Sequence, residues 1–440
     1  MSTEATTPAL GPVGEAQRIV ALDVARGIAL LGIFTVNIAL FALPMADMHV
    51  AAHAPTADRL VASLVWVVSE YKFMSMFSML FGMGLVLQAH RARAAGRPFA
   101  GLYLRRLLTL AIIGVAHATL LWYGDILFMY AVAGALLLAM HALRPRTLVI
   151  VGLASLAVGA GLLSVFMLVL ALGGGPPATA PPAEAAAPVT TVAELFHELA
   201  NHNYQVDRGD FGLVETAIYR DGPAVVAITL RTLTWLSVLL FAGIFYGFGF
   251  RVLGLFCLGA AMMKAGFFTD RGRRWRRWTM ILGLSVGLPL EALAALARWA
   301  APDDAVVFAG TEVSHYLASL FVAFGYLGAA AMFAESGIAR PLARGIAAVG
   351  RMALTNYLGQ TVVATFIFYW WGLGRFADFD RPTLIALVFA VYLGQIVFSV
   401  LWLRAFRLGP VEWLWRSATY ARPVALRREM VTSTTTLPDA

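Results

Sequence analysis

LLTLAIIGVAHATLLWYGDIL, Leu107 to Leu127, is an apolar run that carries one histidine, stops at a three-residue turn and resumes through an aspartate. An imidazole or a carboxylate in hydrocarbon is costly and is kept where it has a partner or a task. Trp122, Tyr123 and Gly124 leave room only for an antiparallel return, so His117 and Asp125 face each other across a tight helix–helix turn. The stretch therefore predicts an all-α polytopic membrane bundle with ionisable groups near one surface.

The rest of the chain agrees with this. Of its 440 residues, 60% are hydrophobic and only 13% charged, about half the charge of an ordinary soluble domain. Predominantly apolar runs of spanning length recur at 19–43, 60–88, 102–121, 126–143, 147–172, 235–267, 278–298, 314–334, 346–371 and 383–404, which predicts about ten helices, with an eleventh allowed in 224–268. The first seventeen residues lack basic groups, and the run after them is too long for a cleaved signal, so the first span is expected to stay as an anchor.

Arginine placement sets the orientation. With the N-terminus inside, the inner segments hold Arg91, Arg93, Arg97, Arg105 and Arg106, the run RGRRWRRW from Arg271, and the arginines from Arg404 to Arg428. The outer segments hold only Arg59, Arg208, Arg220, Arg298, Arg375 and Arg381. This bias puts both termini in the cytoplasm and accounts for the net charge of +8 without nucleic acid as a partner. To keep RGRRWRRW inside, residues 224–268 must cross once, with an interfacial or re-entrant helix near Arg231 before the crossing.

The sequence divides into an N-terminal membrane half (1–172), an outer segment (173–225), a C-terminal half (226–404) and a cytoplasmic tail (405–440). The outer segment opens with a proline–alanine linker, Gly173 to Pro188. A short amphipathic helix follows, with the capping pair Thr191 and Glu194 and with Val192, Leu195, Phe196 and Leu199 on one face.

Candidate chemistry centres on His117. If Asp125 accepts from one ring nitrogen, the tautomer is fixed and the other nitrogen is left as a base. Asn37, two turns from the outer end of the first span, shares that level and could donate to an oxyanion or tie two helices together. Asp23 and Arg26, three apart, form an ion pair, or else Arg26 joins Arg105 and Arg106 in meeting phosphates. Glu70 and Lys72, two apart in the second span, cannot face each other and need partners elsewhere; a proton path is one use. Asn356 and Gln360, four apart, share a helical face and either glue helices or line a path.

The pairs Gly243/Gly247 and Gly283/Gly287 match a small-residue packing pattern that would allow a homodimer. His49, His53 and His315 fall in outer loops or at a span edge without metal spacing, and no metal is expected. The single cysteine, Cys257, excludes an internal disulfide. No phosphate-binding loop, dinucleotide fingerprint or nucleophile elbow occurs.

Several blocks together carry a family resemblance: RIVALDVARGIALLGIFTVN, FSMLFGMG, HATLLWYGDIL, VGRMALTNYLGQ and LGPVEWLWRSATY. In this order they resemble the YeiB-like bacterial membrane proteins of unknown function. More remotely the chain is similar to transmembrane acyltransferases such as the lysosomal heparan-α-glucosaminide N-acetyltransferase. Those enzymes pass an acyl group from cytosolic acyl-CoA to an acceptor across the membrane. That resemblance implies roles for Asp23, Arg26, Gly27 and Asn37 and a catalytic histidine, His49 by position after the asparagine or His117 by block.

The expectation is an acyltransferase of the bacterial inner membrane with acyl-CoA (acetyl-CoA) as co-substrate, no tightly bound cofactor, and a small-molecule or glycan acceptor at the outer side. The alternative is a proton-coupled transporter or exporter of a small or amphipathic metabolite, though no internal repeat supports it.

Overall fold

The computed structural model describes residues 19–48, 54–173, 189–201 and 209–428. Its elements, in chain order, are α1 (Val20–Ala42), α2 (Thr56–Val68), α3 (Lys72–Ala94), α4 (Ala100–Ala116), α5 (Leu127–Met140), α6 (Pro145–Leu172), α7 (Val192–Asn201) and α8 (Gly209–Asp221). The second half holds α9 (Ala224–Ile244), α10 (Phe248–Lys264), α11 (Arg273–Ala300), α12 (Ala305–Ser336), α13 (Arg340–Arg351), α14 (Ala353–Phe368), α15 (Arg381–Ala405) and α16 (Pro410–Tyr420). No β-strand occurs among the described residues.

Local chemistry sets the helix limits. At 23 residues, α1 rises about 35 Å and clears a hydrocarbon core of about 30 Å. It stops where Pro44 forces Leu43 into an extended conformation. Pro145 opens α6 at its first position, and the Asp304 carboxylate accepts from the backbone of Val306 and Val307 to start α12. Leu108, Ile112, Val165, Leu293 and Leu296 point outward and exposed, as side chains solvated by lipid do.

Eight helical stretches are long and apolar enough to cross a membrane. The shorter α5 and α14 also carry the chain from one side to the other. α5 runs from the outer turn to His141, whose carbonyl accepts from Lys264 at the inner end. α14 lies between Arg351 at its start and Trp370 just past its end, and the Trp370 backbone N–H donates to the Tyr219 carbonyl of the outer helix α8. Among the described residues the eight long stretches plus these two make ten passes, and the protein is a multi-pass all-α membrane bundle.

Two of the passes are broken. The expected continuous span at 60–88 is interrupted at Ser69–Tyr71, where Tyr71 adopts a left-handed conformation, φ 59°. Irregular backbone at membrane depth survives only inside protein or beside a cavity, and these residues border one. The second break separates α9 from α10 at Gly247, φ 66°, where a Cβ would overlap the Gly159 carbonyl of α6. α9 and α10 descend in succession along α6, with Phe241 against Phe166 at 5.2 Å and Phe250 accepting from Ser155 at 2.7 Å. Residues 224–264 thus make one pass, and RGRRWRRW follows at the end of the bundle where Lys264 donates to the His141 and Leu143 carbonyls.

Two small-residue pairs separate in role. Gly283 and Gly287 seat α11 against the α12 backbone around Phe321–Gly325, an intramolecular contact. Gly243 and Gly247 straddle a helix end and form no packing stripe. Nor is the segment after residue 405 a simple tail: α16 folds back against the bundle, and Trp415 donates from its indole to the Arg106 carbonyl at 2.9 Å.

Candidate functional site

α4 does not end in an ordinary cap. Its last turn widens into a π-helical turn, His117–Leu121, a feature frequent at functional sites. This turn aims the His117 ring inward, where it is buried. Nδ1 lies 2.9 Å from Oδ1 of Asp125, and Nε2 lies 2.9 Å from the Thr361 hydroxyl on α14. The second Asp125 oxygen accepts from the backbone N–H of Phe128 at 2.9 Å and caps α5. In the neutral imidazole, a carboxylate accepting from Nδ1 leaves the lone pair on Nε2, where Thr361 is placed to donate. The predicted His117–Asp125 pair is present, but its free nitrogen is occupied by a residue the sequence reading missed.

A cavity of about 630 Å³ runs beside this pair. Asp23, Arg26, Leu30, Ile33, Asn37 and Leu40 border it along one face of α1, a rise of about 26 Å at 1.5 Å per residue. Its inner end is basic: Arg26, Arg91, Arg106, Arg351 and Arg416 line it with only Asp23 and Glu412 opposing. Its middle is apolar, with Met74, Phe77, Phe81 and Met129. Its upper end reaches Asn37, Glu70, Trp122, Asp125 and Tyr357. Asp125 borders the cavity while His117 sits just behind it.

The other predicted residues divide. Asp23 and Arg26 pair at 3.2 Å, and Arg26 also lines the cavity. Arg106 lines it too, with its guanidinium 3.7 Å over the Trp415 ring. Arg105, the neighbouring position, is exposed and off the cavity, because successive helical residues point about 100° apart. Asn356 and Gln360 are buried away from the cavity. Asn356 donates to Val349 and Ser399, and Gln360 to Gln395 at 3.0 Å. They tie α14 to α13 and α15 and are not path-lining residues. Glu70 lines the cavity; Lys72 does not.

Lys72 points the other way, into a cluster that sequence spacing concealed. Its Nζ lies 2.9 Å from Glu291 of α11 and donates to the Trp66 carbonyl at 2.6 Å. The second Glu291 oxygen lies 2.7 Å from Nδ1 of His315. His315 was expected at an outer loop or span edge but is fully buried inside α12, stacked on Trp66 at 4.1 Å. A single lysine or glutamate in an apolar run signals the need for a partner, but not which helix supplies it. His49 and His53 lie outside the described residues. No group of three metal-ligating side chains occurs among the described residues.

The outer end is covered. Phe41 and Trp122 pack ring to ring at 4.0 Å, and Tyr123 is buried beside them. The expected amphipathic helix forms as α7: Thr191 and Glu194 make the reciprocal cap, and Leu195 and Leu199 are buried while Phe196 is exposed. The Glu194 carboxyl, held by Thr190 and Thr191, lies below its usual range. On α8, Glu215 accepts from the backbone N–H of Met45 at 2.9 Å. Burial pushes its carboxyl up to about 8, partly offset by that hydrogen bond, with Asp47 adding to the rise. At the inner face, Glu412 of α16 accepts from the backbone of Leu354 and Thr355 and so caps α14.

Residues 262–422 match the family model described as "Protein of unknown function (DUF418)". The chain is similar to the uncharacterized protein YxaH of Bacillus subtilis (strain 168), 31% identical over 434 residues, covering 96% of this chain and 99% of that protein. It is similar to the uncharacterized protein YeiB of Escherichia coli (strain K12), 33% identical over 415 residues, covering 92% and 96%. An uncharacterized 39.9 kDa protein from Bacillus acidopullulyticus is 26% identical over 435 residues. Since relatives at 31% and 33% identity match it along nearly their whole length, this chain belongs to the YeiB-like family of membrane proteins.

Proposed function

We propose that this protein is an acyltransferase of the bacterial cytoplasmic membrane, moving an acyl (acetyl-like) group from cytosolic acyl-CoA to a small-molecule or glycan acceptor at the outer side. The observation that carries this reading is the cavity: a basic inner end, an apolar middle, and a polar upper end beside His117 and Asp125. Arginines suit phosphates, and an apolar passage suits an acyl chain. A passage of about 26 Å along α1 brings a thioester far enough from the inner side to meet the outer pair.

In this reaction His117 takes the proton of the acceptor hydroxyl or amine, with Thr361 turning aside to release Nε2. The acceptor oxygen or nitrogen bonds to the acyl carbon, the carbon–sulfur bond breaks, and His117 returns the proton to the CoA thiolate. Asp125 holds the imidazole in register, and Asn37 donates to the developing oxyanion.

The test is acyl-CoA binding to the purified protein by calorimetry, with acetyl-CoA and longer acyl-CoAs. Arg26→Ala and Arg106→Ala each weaken binding by roughly tenfold or more, while Arg105→Ala, off the cavity, leaves it unchanged. Lack of binding by every acyl-CoA sinks the proposal.

A second reading, a proton-coupled transporter, draws on the two broken passes. Irregular backbone beside buried charges is how transporters build sites at mid-membrane. Proton-coupled flux in liposomes without acyl-CoA affinity would favour it.

A further inference from the structure

Lys72, Glu291 and His315 come from three helices and are all fully buried. One carboxylate serves two bases, Lys72 at 2.9 Å and His315 at 2.7 Å. A carboxylate accepting from Nδ1 leaves the lone pair on Nε2 of His315, and that nitrogen is buried with no hydrogen-bond partner among the described residues. The Lys72–His315 contact is long, 3.4 Å, as expected when Nδ1 already gives its proton to Glu291.

Other charges face the ring. Arg251 of α10 donates to Ser75, Ser319 and the Tyr316 carbonyl. Arg298 of α11, paired with Glu312, lies 5.1 Å over the Trp66 ring that stacks on His315. Tyr71 stands 5.2 Å from the imidazole, and Tyr316 follows it on α12. Glu70 borders the main cavity two residues before Lys72. With Arg251 and Arg298 already cationic, Glu291 can balance Lys72 or His315, one at a time.

We propose that Lys72 and His315 are alternate seats of one exchangeable proton, making this cluster a proton-relay site separate from His117 and Asp125 and independent of the acyl-transfer reading. In one state Lys72 is an ammonium and His315 is neutral. In the other, Lys72 is a neutral amine and His315 an imidazolium. Conversion forms an N–H bond at Nε2 of His315 and breaks one at Nζ of Lys72. Water delivers the first proton and accepts the second, and the charge of the cluster is unchanged. The site lies where the two broken passes meet, with Tyr71 and Phe248 6.3 Å apart, so the irregular backbone at Glu70 and Tyr71 gives it a route to the cavity.

The experiment is nitrogen-15 NMR of histidine-labelled full-length protein in lipid nanodiscs, with His315 assigned by the signal lost in His315→Gln. In the wild type the His315 signals show neutral and imidazolium patterns together, in a proportion that stays nearly constant from about pH 6 to about pH 8, because the exchange leaves the charge of the cluster unchanged. Lys72→Met removes the competing seat, and the ratio of imidazolium to neutral His315 rises by about tenfold or more. Glu291→Gln leaves it neutral throughout. If Lys72→Met does not fold, Lys72→Gln replaces it, and the wild-type proportion still decides. A His315 that is wholly neutral across the range in the wild type overturns the relay, and so does a proportion that Lys72→Met leaves unchanged.

Discussion

Nε2 of His117 is the atom on which the acyl-transfer reading turns, and the Thr361 hydroxyl occupies it. Thr361→Val keeps the shape of the pocket and removes the competing donor. Acyl transfer by this variant stays within about threefold of wild type, or rises, while His117→Ala loses at least about 100-fold in kcat/KM. A comparable loss in Thr361→Val would mean that the threonine hydroxyl itself takes part in the reaction and does not merely occupy Nε2. His117 and Asp125 are legible in the sequence because eight positions and a three-residue turn fix their meeting. Thr361, 244 positions from His117, is not. Glu291 and His315 are hidden for the same reason: a buried charge announces that it needs a partner, while tertiary packing chooses it. Arg105 and Arg106 read alike because a bare sequence does not fix the rotation of a helix.

At the scale of elements, the outer cover has a pH dependence whose sign follows from Glu215. Its carboxyl titrates near 8 in the folded state against a reference of 4.5, so the folded protein binds the extra proton between those values. Burying Glu215 costs least while it is protonated, so this contribution to stability is fully present below about pH 4.5 and is lost as pH rises through about 8. Asp47, also raised by burial against the pull of Arg381, acts in the same direction. Glu215→Gln mimics the protonated acid. In melting experiments its Tm matches wild type near about pH 5 and exceeds it near about pH 9, a difference that corresponds to at most a few kcal/mol of stability. A gap of equal size at both pH values would sink this account. The α7 cap is readable from Thr191 and Glu194, because a local hydrogen-bond pattern writes itself into spacing. The break at Tyr71 is not, since its left-handed turn uses neither glycine nor proline and the apolar run passes straight through it.

For the molecule as a whole, arginine bias makes the ten-pass topology readable, because the bilayer's thickness and the positive-inside preference act on composition alone. The cavity is a property of assembly: α1, α3, α4, α5, α9, α14 and α16 each supply part of its wall. Its reach can be tested with one introduced thiol, since the native Cys257 is buried. In a Cys257→Ala background, Asn37→Cys reacts with a charged thiol reagent applied from the cytoplasmic side of inverted vesicles. A long-chain acyl-CoA slows that labelling by roughly tenfold or more, as RT ln(1 + [L]/Kd) requires at ligand well above Kd. Equal labelling with and without acyl-CoA would mean that the chain never reaches the level of His117.

The helix that closes the inner wall also follows all ten passes in the order of synthesis. Arg416, Glu412 and Trp415 join the cavity only when α16 folds back onto α4 and caps α14. A chain still emerging from the ribosome has its membrane helices in place but an open, incompletely charged vestibule. Docking of α16 is therefore the step that completes the basic inner wall, and the helix order places it after the last pass.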